Sequence, residues 1–261
     1  MNESLKNRLV LLAQKYETPA FLQKDPSRFM HGYSDAANQE LVAFIAANLA
    51  FGRREQILSH VEYILDKAGA NPVDWVLNGG YETYFPCSDN SFYRMYSYQA
   101  MRIMFDTLRA LLRKGSLGCV IKDAYEQACG NSSRPVYLFS VISSMFPKEC
   151  TLIAHCKSSS AKKLNMFLRW MVRDGSPVDL GLWGDWYSKA RLLMPLDTHV
   201  MQEATKLGLL ESSCSGAVRA ASLKTALELT KEMEAAFPGD PVRGDFALFG
   251  LGVDSGQSVE T

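Results

Sequence analysis

Apolar residues recur three and four apart along most of this chain, as in Leu5, Leu9 and Leu12 and again in Leu41, Phe44, Ile45 and Leu49. That is the period of one face of a helix. Almost no stretch alternates at period two. The spacing predicts helices at about 3–16, 36–50, 53–68, 94–114, 119–128, 135–145, 160–174, 198–208, 218–236 and 241–251, and an all-α fold. Proline and glycine mark the breaks. Asn78-Gly79-Gly80 turns into an aromatic-rich segment from Tyr81 to Tyr98, expected to connect helices within the core. Asp174-Gly175-Ser176-Pro177 stops one helix, and Phe237-Pro238-Gly239-Asp240-Pro241 stops another and begins the last. Residues 254–261 read as a frayed tail.

A chain of 261 residues can bury a full core, and its length fits either a single helical domain over 1–261 or two closely packed lobes with a cleft between. Its 47% apolar and 21% charged residues exclude a disordered chain. Lys+Arg and Asp+Glu are equal at 28 each, so any contact with nucleic acid must come from a local basic patch. No apolar run is long enough for a membrane span, and Leu9-Val10-Leu11-Leu12-Ala13 is too short for a signal-peptide core, so the expected location is the cytoplasm. Six cysteines without a C-x-x-C pair read as reduced, mainly buried thiols, and neither metal nor cofactor is expected.

Three segments of the last hundred residues carry chemistry. In the first, Ser158-Ser159-Ser160 precedes an amphipathic helix with five basic side chains, counting the early Lys157, then Lys162, Lys163, Arg169 and Arg173. A serine N-cap leaves backbone N–H groups at the positive end of a helix, which suits a phosphate; the alternative is a capped core helix with a solvated basic face. In the second, Leu192-Leu193-Met194-Pro195-Leu196 runs into Asp197 and the helix from Thr198, which places Asp197 at an N-cap where it can accept N–H bonds and stay ionised. His199, two residues on, reads as packed or bonded to backbone. In the third, Asp240-Pro241 opens a helix on which Asp245 and Phe249 share a face, either to bond and stack a flipped base or as a surface charge beside a core ring. Earlier in the chain, Arg53 and Arg54 follow Gly52 at a helix junction, where they could contact phosphate or simply start a solvated helix. Tyr93, Tyr96 and Tyr98 read as core.

Taken in this order, the three segments resemble the helix-hairpin-helix DNA glycosylase superfamily, in which a hairpin leads into a helix with a catalytic lysine, a proline-apolar-Asp segment supplies a catalytic aspartate, and a late helix closes the pocket. The pairs Lys163 with Phe167 and Asp245 with Phe249 are similar to the archaeal 8-oxoguanine glycosylase branch, as is the 34-residue separation of Lys163 from Asp197. The resemblance covers 155–252, with an echo in the 39–53 helix. Where the superfamily has Leu-Pro-Gly-Val-Gly, this chain has His155-Cys156-Lys157-Ser158-Ser159-Ser160. The whole chain also looks like an uncharacterised bacterial family known only as a domain of unknown function.

The resemblance implies a base-excision glycosylase acting on DNA, with Schiff-base lyase activity. Lys162 or Lys163 would be the nucleophile and Asp197 the ionised carboxylate. Phe167, Asp245 and Phe249 would form the base pocket, and Arg53, Arg54, Lys157, Ser158, Ser159 and Ser160 would contact DNA. Two further readings stand beside it: a catalytically inactive nucleic-acid-binding module of the same fold, and a helical scaffold.

Overall fold

The structure is a computed structural model that describes residues 1–155, 158–211 and 218–254, with the side chains of 253 and 254 left out. Helices account for 61% of it, and the fold is all-α. The helices are α1 (Glu3–Tyr16), α2 (Ala36–Leu49), α3 (Arg54–Ala68), α4 (Pro72–Leu77), α5 (Tyr98–Leu112), α6 (Leu117–Gly130), α7 (Leu138–Ser144), α8 (Lys162–Val172), α9 (Thr198–Lys206), α10 (Leu223–Glu234) and α11 (Gly244–Asp254). A short antiparallel hairpin, β1 (Ser91–Tyr93) and β2 (Tyr96–Ser97), is the one sheet among the described residues. The chain forms two compact units, one of residues 1–24 with 156–261 and one of 25–155.

The 25–155 unit is built on α2, which is apolar on nearly every side from Leu41 to Leu49 and accordingly buried all round. Polar groups on α2 anchor its neighbours. Asn38 Oδ1 accepts the Val73 N–H at 2.9 Å and sets α4, and the buried Glu40 carboxylate accepts the Gly118 N–H at 3.0 Å at the start of α6. The aromatic segment does lie in the core: Tyr81, Phe85, Tyr93 and Tyr96 are buried, with Phe85 packed edge-on to Phe92 and tilted against Phe105. The helix expected at 94–114 begins only at Tyr98, because Arg94 takes a left-handed conformation (φ 54°) and closes the hairpin. The periodicity also passes over α4, a single short helix with Asn71 as its N-cap and proline in its first turn.

In the other unit α1 packs along α11, and α9 packs against α11 as well. Both contacts need glycine. A Cβ on Gly250 would stand 2.2 Å from Cδ2 of the Tyr16 ring, and one on Gly252 would stand 2.0 Å from His199 Nε2. Gly250→Ala is therefore expected to destabilise this unit by roughly 2–3 kcal/mol through overpacking, read as a lower urea midpoint. No helix among the described residues is long and apolar enough to cross a membrane.

Candidate functional site

The site grows from the head of α8. Leu164, Phe167, Leu168 and Met171 bury the apolar face of this helix. Its first residue is Lys162, because Ala161 sits in the left-handed region (φ 46°, ψ 45°) and turns the chain into the helix. An L-residue there costs about 1–2 kcal/mol, so the turn must be held by its surroundings. The Ala161 N–H donates to Ser159 Oγ at 3.1 Å, Asn165 Nδ2 donates to the Ser160 carbonyl at 2.7 Å, and the Leu223 N–H donates to the Ser158 carbonyl at 2.8 Å. The three serines thus fasten the turn to the start of α10. They do not cap α8, and Ser160 is buried, which corrects the expectation of a serine-capped phosphate site. Lys157 lies outside the described residues.

Asp197 arrives from a different direction. Residues 192–196 are buried, and the Met194 N–H donates to Thr230 Oγ1 at 3.0 Å, so the strand-like approach is pinned to α10. Asp197 is the N-cap of α9, its Oδ1 accepting the Val200 N–H at 2.8 Å. Its other oxygen, Oδ2, lies 3.3 Å from Lys162 Nζ. The pair is partly open to solvent, with side chains 31% and 38% exposed for Lys162 and Asp197. A half-exposed ion pair of this kind contributes little to stability, so its placement is of chemical rather than structural interest.

Asp245, in the first turn of α11, is the third member. Its side chain is 18% exposed, and Oδ2 is bonded by the Arg169 guanidinium. Burial pushes its carboxyl up to about 6; Arg169 and Lys162 pull it down, while the charges of Asp197 and Asp179 add to the rise. Ionising Asp245 therefore works against the fold. Its contribution to stability is fully present below its ordinary value of 3.8 and is lost as pH rises through about 6. The stability of the wild type relative to Asp245→Asn should accordingly fall between about pH 4 and pH 7, which urea melts across that range would show.

Behind Asp245 lies a buried ionic network. Arg169 Nε is 3.1 Å from Asp179 Oδ1, with Arg169 3% exposed and Asp179 fully buried. Arg173, one turn along, binds the other oxygen of Asp179 as well as Asp240 and Glu17, each of the latter at 2.8 Å. Arg243 also reaches Glu17 at 2.8 Å. Burial would lower Arg173, but its hydrogen bond with Asp240 and the charges of Asp179, Asp240 and Glu17 hold it above its ordinary value. Burial would raise Glu17, but the charge and hydrogen bonds of Arg173 and Arg243 keep it below. The basic face expected to be solvated is, at Arg169 and Arg173, the most deeply paired part of this unit.

Lys162 and Asp197 thus form a pair, Asp245 stands within reach of both charges, and other expected residues do not join them. Phe167 is fully buried, edge-on to Trp183 at 5.2 Å, so it has no face to offer a base; its spacing reflected the core side of α8. The Phe249 ring lies against Phe21 and Tyr16, at 5.0 and 5.8 Å, in the packing of α11 on the first 24 residues. Lys163 is half-buried next to Lys162. His199 Nε2 is buried against Gly252 with no hydrogen-bond partner among the described residues, in keeping with a packed side chain. Arg53, exposed, and Arg54 stand at the head of α3 in the 25–155 unit. Glu17 and Asp179 were missing from the sequence reading, which took Asp240 only as the start of a helix; the hint was a pair of arginines four apart on a helix that is otherwise apolar on that side.

The architecture is that of an all-helical protein with a lysine–carboxylate cluster at the junction of three helix starts. Residues 25–254 match the family described as protein of unknown function (DUF2400), and the chain belongs to that family. No curated protein and no solved structure matches it.

Proposed function

We propose that this protein is a base-excision enzyme of the helix-hairpin-helix glycosylase kind, acting in the cytoplasm on DNA that carries a damaged base, with Lys162 as an imine-forming nucleophile. The observation that carries the reading is the Lys162 ammonium 3.3 Å from the Asp197 carboxylate. Glycosidic cleavage builds positive charge on the sugar, and a carboxylate fixed in place, as Asp197 is, stabilises that charge. Once Lys162 has given up a proton to solvent, its amine attacks the anomeric carbon, and the base departs with the electron pair of the C1′–N bond and takes a proton from water. Ring opening then yields an imine to Lys162 and a route to strand cleavage. Ser158, Ser159 and Ser160 serve this site by building the turn that presents Lys162.

The test is borohydride trapping on duplexes containing 8-oxoguanine, uracil or a preformed abasic aldehyde. The reading predicts a covalent adduct with at least one of them, lost in Lys162→Ala. Loss with Lys163→Ala alone would move the amine one residue along within the same site, and no adduct with any duplex would remove the lyase activity. Binding of the intact duplex should weaken steeply as salt rises, because phosphate contacts release counterions; a flat response would favour a helical scaffold without a nucleic-acid role.

A further inference from the structure

Lys162 and Asp197 come from segments far apart in the chain, and both segments are tied to α10. The turn before α8 is fastened to its head: the Leu223 N–H donates to the Ser158 carbonyl at 2.8 Å, and Ser159 pairs with Ser222 as an isolated antiparallel bridge. Lys162 stands four residues after Ser158. The approach to α9 is fastened two turns further along, where the Met194 N–H donates to Thr230 Oγ1 at 3.0 Å, and Asp197 stands three residues after Met194. We propose that α10 is the template that sets Lys162 against Asp197, and that Thr230 is the positioning residue for Asp197.

The two anchors are built differently. The first is held several times over. Ser222 caps α10, its Oγ accepting the Thr225 N–H at 3.2 Å, and the buried Thr225 hydroxyl donates to the Ala220 carbonyl at 3.1 Å. The second hangs on one side chain. Residues 192–196 are buried, and the bond to Thr230 is the only hydrogen bond that residues 193–196 make among the described residues. Apolar burial holds such a segment down without fixing its register, because it has no direction. A hydrogen bond has one. The Thr230 hydroxyl gives its single proton to the Ala226 carbonyl, 2.7 Å away on the preceding turn, which leaves a lone pair for the Met194 N–H. Threonine is a poor residue for a helix interior, and at this position both functions of its hydroxyl are in use. Leu223 and Thr230 are seven residues apart, which in a helix makes a rigid spacer of about 10 Å between the two anchors.

The spacing matters for one chemical step more than for another. Stabilising the charge on the sugar depends on where the Asp197 carboxylate stands, and a misplacement of about 1 Å can cost on the order of a hundredfold in rate. Attack of an amine on an open-chain aldehyde makes no such demand, because no glycosidic bond has to break. Thr230 therefore governs base release rather than imine formation.

This inference rests on the reading of Asp197 as the charge-stabilising group, and two measurements keep its fate apart from that of the reading. The first needs no DNA. A water-soluble carbodiimide joins an amine to a carboxylate only where the two touch, and the Lys162–Asp197 pair is partly open to solvent. With the product located by mass spectrometry, the wild type should give the Lys162–Asp197 amide, Thr230→Val about tenfold less, and Thr230→Ser the wild-type yield. Valine keeps the shape and loses the acceptor, whereas serine keeps the acceptor. Thr230→Ala, which cannot crowd Met194, should behave as Thr230→Val does. The second measurement is single-turnover base release at saturating 8-oxoguanine duplex, which should fall about ten- to a hundredfold in Thr230→Val, with duplex affinity within about twofold, and recover in Thr230→Ser. Borohydride trapping on a preformed abasic aldehyde should stay within about threefold of wild type in all three variants. A Thr230→Val protein that couples as well as the wild type overturns the inference. So does one that loses base release and aldehyde trapping together, the mark of a merely structural threonine. A wild type that forms no amide overturns it whatever happens on DNA. A wild type that acts on no duplex removes the glycosylase reading, and the coupling yields then decide the inference alone.

Discussion

Asp197→Asn should leave the protein folded and remove most of its base release, about 10²- to 10³-fold, the usual loss when one preorganised charge-stabilising group is taken from an active site. The two functions of Asp197 come apart in this variant. As an N-cap it accepts the Val200 N–H, and asparagine caps a helix about as well as aspartate, so the stability change should be within a few tenths of a kcal/mol. As a charge it faces Lys162 at 3.3 Å, and there asparagine has nothing to offer a developing cation. Asp197→Ala should add to the same activity loss a stability cost of about 1 kcal/mol from the missing cap. If both variants lose stability alone and keep their base-release rate, Asp197 is a cap and nothing more.

Arg173→Met should destabilise the protein by about 3–5 kcal/mol, the range seen when one partner of a buried ion pair is deleted. Arg173 is 3% exposed and is shared by Asp179, Asp240 and Glu17. Without it, the ion-pair partners left among the described residues are Arg169 for Asp179 and Arg243 for Glu17, and Asp240 keeps none. The loss should be smaller in acid, where the stranded carboxylates can take up protons, and larger at neutral pH. Urea unfolding at two pH values would read it. A surface arginine would cost less than about 1 kcal/mol and show no such dependence, so a small, pH-independent effect would mean that the network does not hold as described.

Long amphipathic helices such as α3 and α5 are legible in the chain, because their apolar faces repeat over several turns. The hairpin is not, since two strands of two and three residues show no alternation and depend on the positive φ of Arg94. Asp197 was legible as a cap because Pro195 and the apolar run before it define where the helix must begin. Which lysine meets it was not. Moving the start of α8 by one residue changes which side chain turns toward Asp197, and that start is set by the left-handed Ala161, which no local signal announces. Arg169 and Arg173 look like a solvated stripe because three of their partners, Asp240, Asp245 and Glu17, are 67, 76 and 156 residues away, and the fourth, Asp179, though only 10 and 6 residues on, lies past the end of the helix where no periodicity places it. Phe167 misled for the opposite reason: its spacing from Lys163 fits a pocket and a core face equally, and burial decided for the core.

The central claim is that the Lys162 amine, set against Asp197, forms a covalent bond to the sugar of damaged DNA. Reducing the wild-type protein with borohydride on an abasic-site duplex, digesting both components and locating the modified residue by mass spectrometry tests it most directly. The account predicts a single nucleotide-bearing lysine, Lys162. An unmodified first turn of α8, whether because no cross-link forms or because it falls on a lysine remote from Asp197, would contradict it.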